Sequence, residues 1–205
     1  MQNRLENEAN HPAGKISLAG HLLVASPNVN GGDFVRTVCL IVHHDDNGAV
    51  GVVLNRGFDH DVDGLWQHLS NGKMDLRQGL LHFGGPDSGP VIALHNSNKH
   101  AEYQTAEGVF LAAQIQNLRE LVATTAAEKA EQGSCAVKII VGQAEWEAGE
   151  LDQEFMDGHW LPLPVSSDLV FADQQLMWPI AIRAIGNQFV ADMTGARLPT
   201  DPNCN

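Results

Sequence analysis

The sequence predicts a compact single domain of the α+β class, with more strand than helix. Three observations carry this. Runs dense in β-branched residues, such as TVCLIVH and AVGVVLN, recur between clusters of Gly, Asn, Asp and Pro. Two longer segments, 114–131 and 175–185, read as helices. The 205 residues suffice for one domain with a real core, and no stretch approaches the ~20 apolar residues of a membrane span.

Residues 1–15 are rich in Asn, Glu, His, Pro and Gly, have little to bury, and read as a disordered arm. They lack the apolar core of a signal peptide, so the protein is expected in the cytoplasm, without a membrane partner. The folded domain is expected over 16–187, followed by a weakly anchored tail over 188–205. ISLAGHLLVASP is a strand entering a turn-rich loop at Pro27. Thr37–His43 and Ala49–Leu54 flank Asn47-Gly48, the strongest short hairpin signal, and should pair antiparallel. GLWQHLSN, 64–71, reads as a short helix, and LLHFGGPDSGPVIALH as two strands broken by a Gly-Gly-Pro turn. In 114–131, Ile115, Leu118, Leu121 and Val122 line one helical face, and Gly133 stops the helix. CAVKIIVG is a buried strand, EAGELDQEFMDG a short helix ended by Gly158, and HWLPLP extended. Gln175–Ile185 is the last helix, with Pro179 pinning its start and Gly186 marking its end.

A formal charge of -13 repels a phosphate backbone, and no two of the twelve Lys and Arg are adjacent. Direct DNA binding is therefore disfavoured. The three cysteines, Cys39, Cys135 and Cys204, are odd in number and widely spaced, which suggests neither a disulfide framework nor a thiolate zinc site. His43, His44, Asp45 and Asp46 offer ligand atoms close together, but neighbours on a strand face opposite ways. A polar hairpin tip, with the aspartates shaping the turn, explains them better than a metal. No nucleophile elbow, zinc-helix motif or phosphate loop occurs. Gly31-Gly32-Asp33-Phe34 is an isolated Gly-rich turn. No catalytic residue, metal or cofactor is assigned, although His44, His82 and His95 stand as an alternative enzymatic, nucleotide- or metal-binding set.

Asn55-Arg56 and Gly84-Gly85-Pro86 carry more information. An arginine after a buried strand can hold a carboxylate, a phosphate or a neighbouring carbonyl. A glycine pair permits close backbone approach and can leave N–H groups facing an anion. The expected binding surface comprises His44, Asn55, Arg56, Gly84, Gly85, Pro86 and His95. An internal tie between the hairpin and the Gly-Gly-Pro loop is the competing reading of the same residues.

LLVASP, DFVRTVCLIVHHDDNGAVGVVLNR, HFGGP followed by VIALH, VGQAEWEAGELDQEFMDGHWL and LMWPIAIRAIG occur in this order over residues 16–187. In that order and spacing the chain resembles the bacterial AlgH/YqgE family. The family pattern falls here on His44, Gly48, Ala49, Gly51, Asn55, Arg56, Gly84, Gly85, Pro86, His95, Gly142, Ala144 and Trp146. The chain departs from it at Gly31-Gly32, at Gly57, and in the run Gln143–Leu151, where Glu145 and Glu147 replace glycines and count against an anionic ligand. The resemblance implies a coiled, partly open β-barrel-like sheet flanked by a few helices. The family carries a transcriptional-regulator label, yet this chain has no helix-turn-helix. The expectation is a non-enzymatic cytoplasmic binding or regulatory protein with a protein or small-molecule partner, any transcriptional effect being indirect.

Overall fold

The computed structural model describes residues 17–57, 81–128 and 135–195. The expected disordered arm, the short helix at 64–71 and most of the expected tail lie outside them.

Ten strands are described: β1 (His21–Ala25), β2 (Val38–Asp45), β3 (Gly48–Val53), β4 (Leu81–Phe83), β5 (Ile92–His95), β6 (Tyr103–Ala106), β7 (Val109–Ala112), β8 (Val137–Val141), β9 (Ala144–Glu147) and β10 (Trp160–Pro164). The helices are α1 (Ile115–Glu128), α2 (Glu150–Met156), α3 (Ser167–Val170) and α4 (Gln174–Thr194). The strands form two five-stranded sheets, ordered β10-β1-β2-β3-β9 and β4-β8-β5-β7-β6. The domain is α+β as expected, with two sheets and no closed barrel among the described residues.

Side-chain alternation builds the layers. Leu22, Val24, Val38, Leu40, Val52 and Leu54 of the first sheet meet Ile92, Leu94, Val109 and Ile140 of the second, joined by Met177 and Ala181 of α4. The intervening residues face the opposite sides of the two sheets. Leu23, Cys39 and Ile41 pack with Leu151 of α2, Trp146 and Trp160. Ala93, Val137 and Ile139 pack on Leu118, Leu121 and Val122 of α1. Each fully buried Leu or Ile contributes about 2 kcal/mol of transfer free energy, so these three clusters hold the sheets against each other and against the helices.

The β2–β3 hairpin forms as expected, with Asp45 opposite Gly48. Its turn centres on Asp46-Asn47, one residue before the Asn-Gly pair, and the Asp45 carboxylate accepts the Asn47 N–H at 2.7 Å. The register shifts between Ile41 and His43, so Val42 is an extra residue. That bulge reverses the alternation: His44 joins the buried side occupied by Cys39 and Ile41, and His43 faces solvent.

The two strands expected around Gly-Gly-Pro do not pair with each other. β8 runs between them, parallel to β4 and antiparallel to β5. The last helix is longer than its sequence suggests. It starts where Asp173 accepts the Gln175 N–H at 2.8 Å, and Pro179 lies inside it. Gly186 remains helical, and the left-handed cap falls on Gly195, φ 67°.

Candidate functional site

β3 ends in Asn55-Arg56, whose side chains reach the loop that precedes β2. Asn55 Oδ1 accepts the Val38 N–H at 2.8 Å, and Asn55 Nδ2 donates to the Arg36 carbonyl at 2.9 Å. This two-pronged clamp from a buried amide holds Arg36 at φ 54°, the left-handed region that residues other than glycine rarely adopt. Arg56 Nη2 donates to the Val35 carbonyl. The Arg36 guanidinium lies 5.6 Å from the centre of the Trp178 ring, a cation–π arrangement. Trp178 is anchored in turn, its Nε1–H donating to the Ala25 carbonyl at 2.8 Å.

These contacts leave a cleft of about 450 Å³ between the end of β3, the 34–37 loop and the first turns of α4. Arg36, Asn55, Arg56 and Gly57 line one part, and Gln174, Gln175, Trp178 and Pro179 the rest. Among the described residues no carboxylate lines it.

Behind the cleft lies Lys138 of β8. Its Nζ donates to the Leu54 carbonyl at 3.1 Å and to the Ala172 carbonyl at 3.4 Å, pinning the end of β3 to the turn before α4. Burial lowers its pKa from 10.5 to about 8, against the opposing pull of Asp173. The unfolded chain therefore binds more protons than the native state between those two values, and native stability rises with pH across that window. Relative to Lys138→Met, wild type is expected to gain about 2 to 3 kcal/mol between about pH 8 and pH 10.5, read by urea unfolding. A pH-independent difference would contradict this.

Of the residues expected to form a binding surface, Asn55 and Arg56 line the cleft, and the others do not. Gly84 and Gly85 serve backbone packing. The Gly84 N–H donates to the Val141 carbonyl at 2.8 Å, so it is not free for an anion. A Cβ on Gly84 would lie 2.1 Å from the Gly142 carbonyl oxygen, and one on Gly85, at φ 149°, would lie 2.2 Å from that of Gln143. Pro86 is exposed beyond this seam. The tie expected from Asn55 and Arg56 to the Gly-Gly-Pro loop runs elsewhere: the side-chain bonds that the two residues make go to the 35–38 segment. Main-chain bonds, such as Phe83 N–H to the Arg56 carbonyl at 3.0 Å, join that strand end to β4.

The three histidines sit on separate elements. His44 accepts the Leu18 N–H on Nδ1 at 3.1 Å and places Nε2 3.5 Å from Asp152 of α2. That arrangement fastens the chain before β1 and α2 to the hairpin. His82 is buried in β4, and β8 separates it from β5. His95 is fully buried at the end of β5, its ring 5.9 Å from that of Phe110, and burial chiefly pushes its pKa down. Among the described residues no group of three or more His, Cys, Asp or Glu is disposed to hold a metal.

Glu145 lies elsewhere, in a shallower depression of about 380 Å³ with His43, Asp45 and Trp146. Neither Glu145 nor Glu147 lines the arginine cleft. Arg36, Gln174, Gln175 and Trp178 were not legible as site residues. Arg36 is an exposed loop residue without a motif, and Trp178 lies within the LMWPIAIRAIG block, where it reads as helix.

A family described as AlgH-like matches residues 22–190. A UPF0301 protein of Chlamydia trachomatis serovar A is 30% identical over 176 residues, covering 84% of this chain and 88% of that protein. One from Chlorobaculum parvum is 30% identical over 185 residues, covering 88% and 94%. The solution structure of the AlgH protein from Pseudomonas aeruginosa aligns with TM-score 0.61 at 22% identity, covering 92% of this chain and 99% of that one. A crystal structure from Corynebacterium diphtheriae gives 0.60 at 24% identity, covering 88% and 92%. At these identities the two structures establish a shared fold.

Proposed function

This chain belongs to the AlgH-like family, and from that premise we propose that it is a non-enzymatic binding protein whose ligand surface is the cleft at the end of β3. One observation carries the reading: Asn55 and Arg56 organise a concave site of guanidinium, amide and indole groups, with neither a nucleophile nor a carboxylate base in its described lining. Such a lining can orient and hold a ligand, and it offers no group to attack one or to take its proton. A regulatory effect would follow from that binding, with transcription affected indirectly. The charge of -13 argues against direct contact with DNA. No helix among the described residues is long and apolar enough to cross a membrane, and we assign the protein to the cytoplasm.

The test is gentle purification from the protein's own cells, beside an Arg36→Ala/Arg56→Ala variant and a His44→Ala variant altered elsewhere on the fold. A protein or metabolite lost only from the arginine variant is the expected result. Identical companions in all three samples would overturn the assignment to this cleft.

A further inference from the structure

We propose that the cleft receives the oxyanion head of a small molecule, a phosphoryl or dicarboxylate group carrying about two negative charges. This rests on the binding reading above and gives it a ligand class.

The first ground is unbalanced charge. The chain holds 25 Asp and Glu against 12 Lys and Arg. Nevertheless no carboxylate among the described residues lines the cleft into which Arg36 and Arg56 project. Carboxylates are abundant in the chain, and among the described residues none lines the cleft beside these two guanidiniums. The ammonium of Lys138 lies behind the wall, one residue from Asn55 through the Leu54 carbonyl, and there it faces the carboxylate of Asp173.

The second ground is preorganisation. The Arg56 fork is fixed by the Val35 carbonyl, and Arg36 is laid over Trp178 on a backbone held in the left-handed region. Guanidiniums restrained before the ligand arrives lose less side-chain entropy on binding, and their planar N–H pairs match the spacing of carboxylate or phosphate oxygens. Gln175 is exposed at the same rim and supplies a neutral amide donor. Asn55 is largely committed, its Oδ1 and one of its two Nδ2 hydrogens already serving backbone groups.

The third ground is size and long-range field. A volume of about 450 Å³ falls within the ~300–1,000 Å³ of small-molecule sites. A polyanion such as nucleic acid would meet the repulsion of the whole chain, whereas a small anion bound inside the cleft interacts mainly with nearby cations. The site therefore selects a compact anion over an extended one.

The probes are pyrophosphate and succinate, titrated calorimetrically into the full chain at low salt and again at about 0.5 M NaCl. Binding of either probe is expected, weakening with salt, and the preferred probe separates a phosphoryl from a carboxylate source. Arg36→Gln and Arg56→Gln should each weaken it by about 10-fold or more, the scale of one charge-assisted hydrogen bond. Gln175→Glu should do likewise by adding a negative charge, and it leaves every scaffold bond named here in place. Absence of binding by both anions, or affinity unchanged in all three variants, would overturn the oxyanion assignment. If neither anion binds yet the arginine double variant still loses a companion from cells, the binding reading stands and the ligand class falls. If it loses none, both fall.

Discussion

Gly84→Ala is expected to destabilise the protein by about 4 kcal/mol, measured as a lower urea midpoint with the slope unchanged. An added Cβ would meet the Gly142 carbonyl oxygen at 2.1 Å and Ile140 Cγ2 at 2.5 Å. The closest obstacle is backbone, which no rotamer change can move. Gly84 also joins the two sheets, because its N–H donates to Val141 at 2.8 Å and its carbonyl accepts the Val53 N–H at 2.7 Å. Separating the strands to admit a methyl group would break both bonds. Gly158→Ala is the control. Gly158, unlike Gly84, has positive φ, 73°, but a Cβ there would meet nothing within 4 Å, so only the conformational cost of about 1 to 2 kcal/mol applies. A loss at Gly84 no larger than that at Gly158 would show that the close approach is relieved by local movement and does not set the effect.

Glu154→Leu is expected to cost a similar amount, about 4 kcal/mol, with a changed near-ultraviolet circular dichroism spectrum. One carboxylate oxygen of Glu154 accepts the indole N–H of Trp146 at 2.9 Å and that of Trp160 at 2.7 Å. The two rings meet edge-on with centroids 6.2 Å apart, and Phe34 packs on both, at 5.8 Å and 5.5 Å. Leucine would leave two indole donors in a largely buried cluster without their acceptor. Glu154→Gln retains a carbonyl oxygen there and should lose only about 1 to 2 kcal/mol, the charge-assisted part of two bonds. If Gln proves as damaging as Leu, the carboxylate acts through its charge and not through these acceptor contacts. Phe34 begins the loop that carries Arg36, so this cluster braces the cleft from the outer face of the sheet.

Much of the fold was legible because the signals were local. The hairpin needed only two β-branched runs and a turn between them. β8 is an apolar run, and α1 has a periodic face. β6, β7 and β9 were not legible: YQTA and VFLA are four residues each, and AEWE alternates with Glu outward, so each depends on a neighbouring strand for its hydrogen bonds. The end of α4 was misread because Gly186 is compatible with both helix and cap, and its φ decides between them.

The candidate site divides the same way. Asn55 and Arg56 stood out by their place after a buried strand, and they line the cleft. Arg36, Gln174, Gln175 and Trp178 did not, since the contacts that define them join residues far apart in the chain, such as Asn55 to Arg36 and Trp178 to Ala25. By itself the sequence determined the α+β class, the family, the central hairpin and one wall of the cleft, because periodicity, turn chemistry and motif order are properties of neighbouring residues. Only the tertiary structure decided that Gly84 and Gly85 are a packing seam, that a bulge turns His44 inward, and that two distant arginines share one cleft. Those outcomes depend on which surfaces meet when the two sheets pack, and no local pattern encodes that distance.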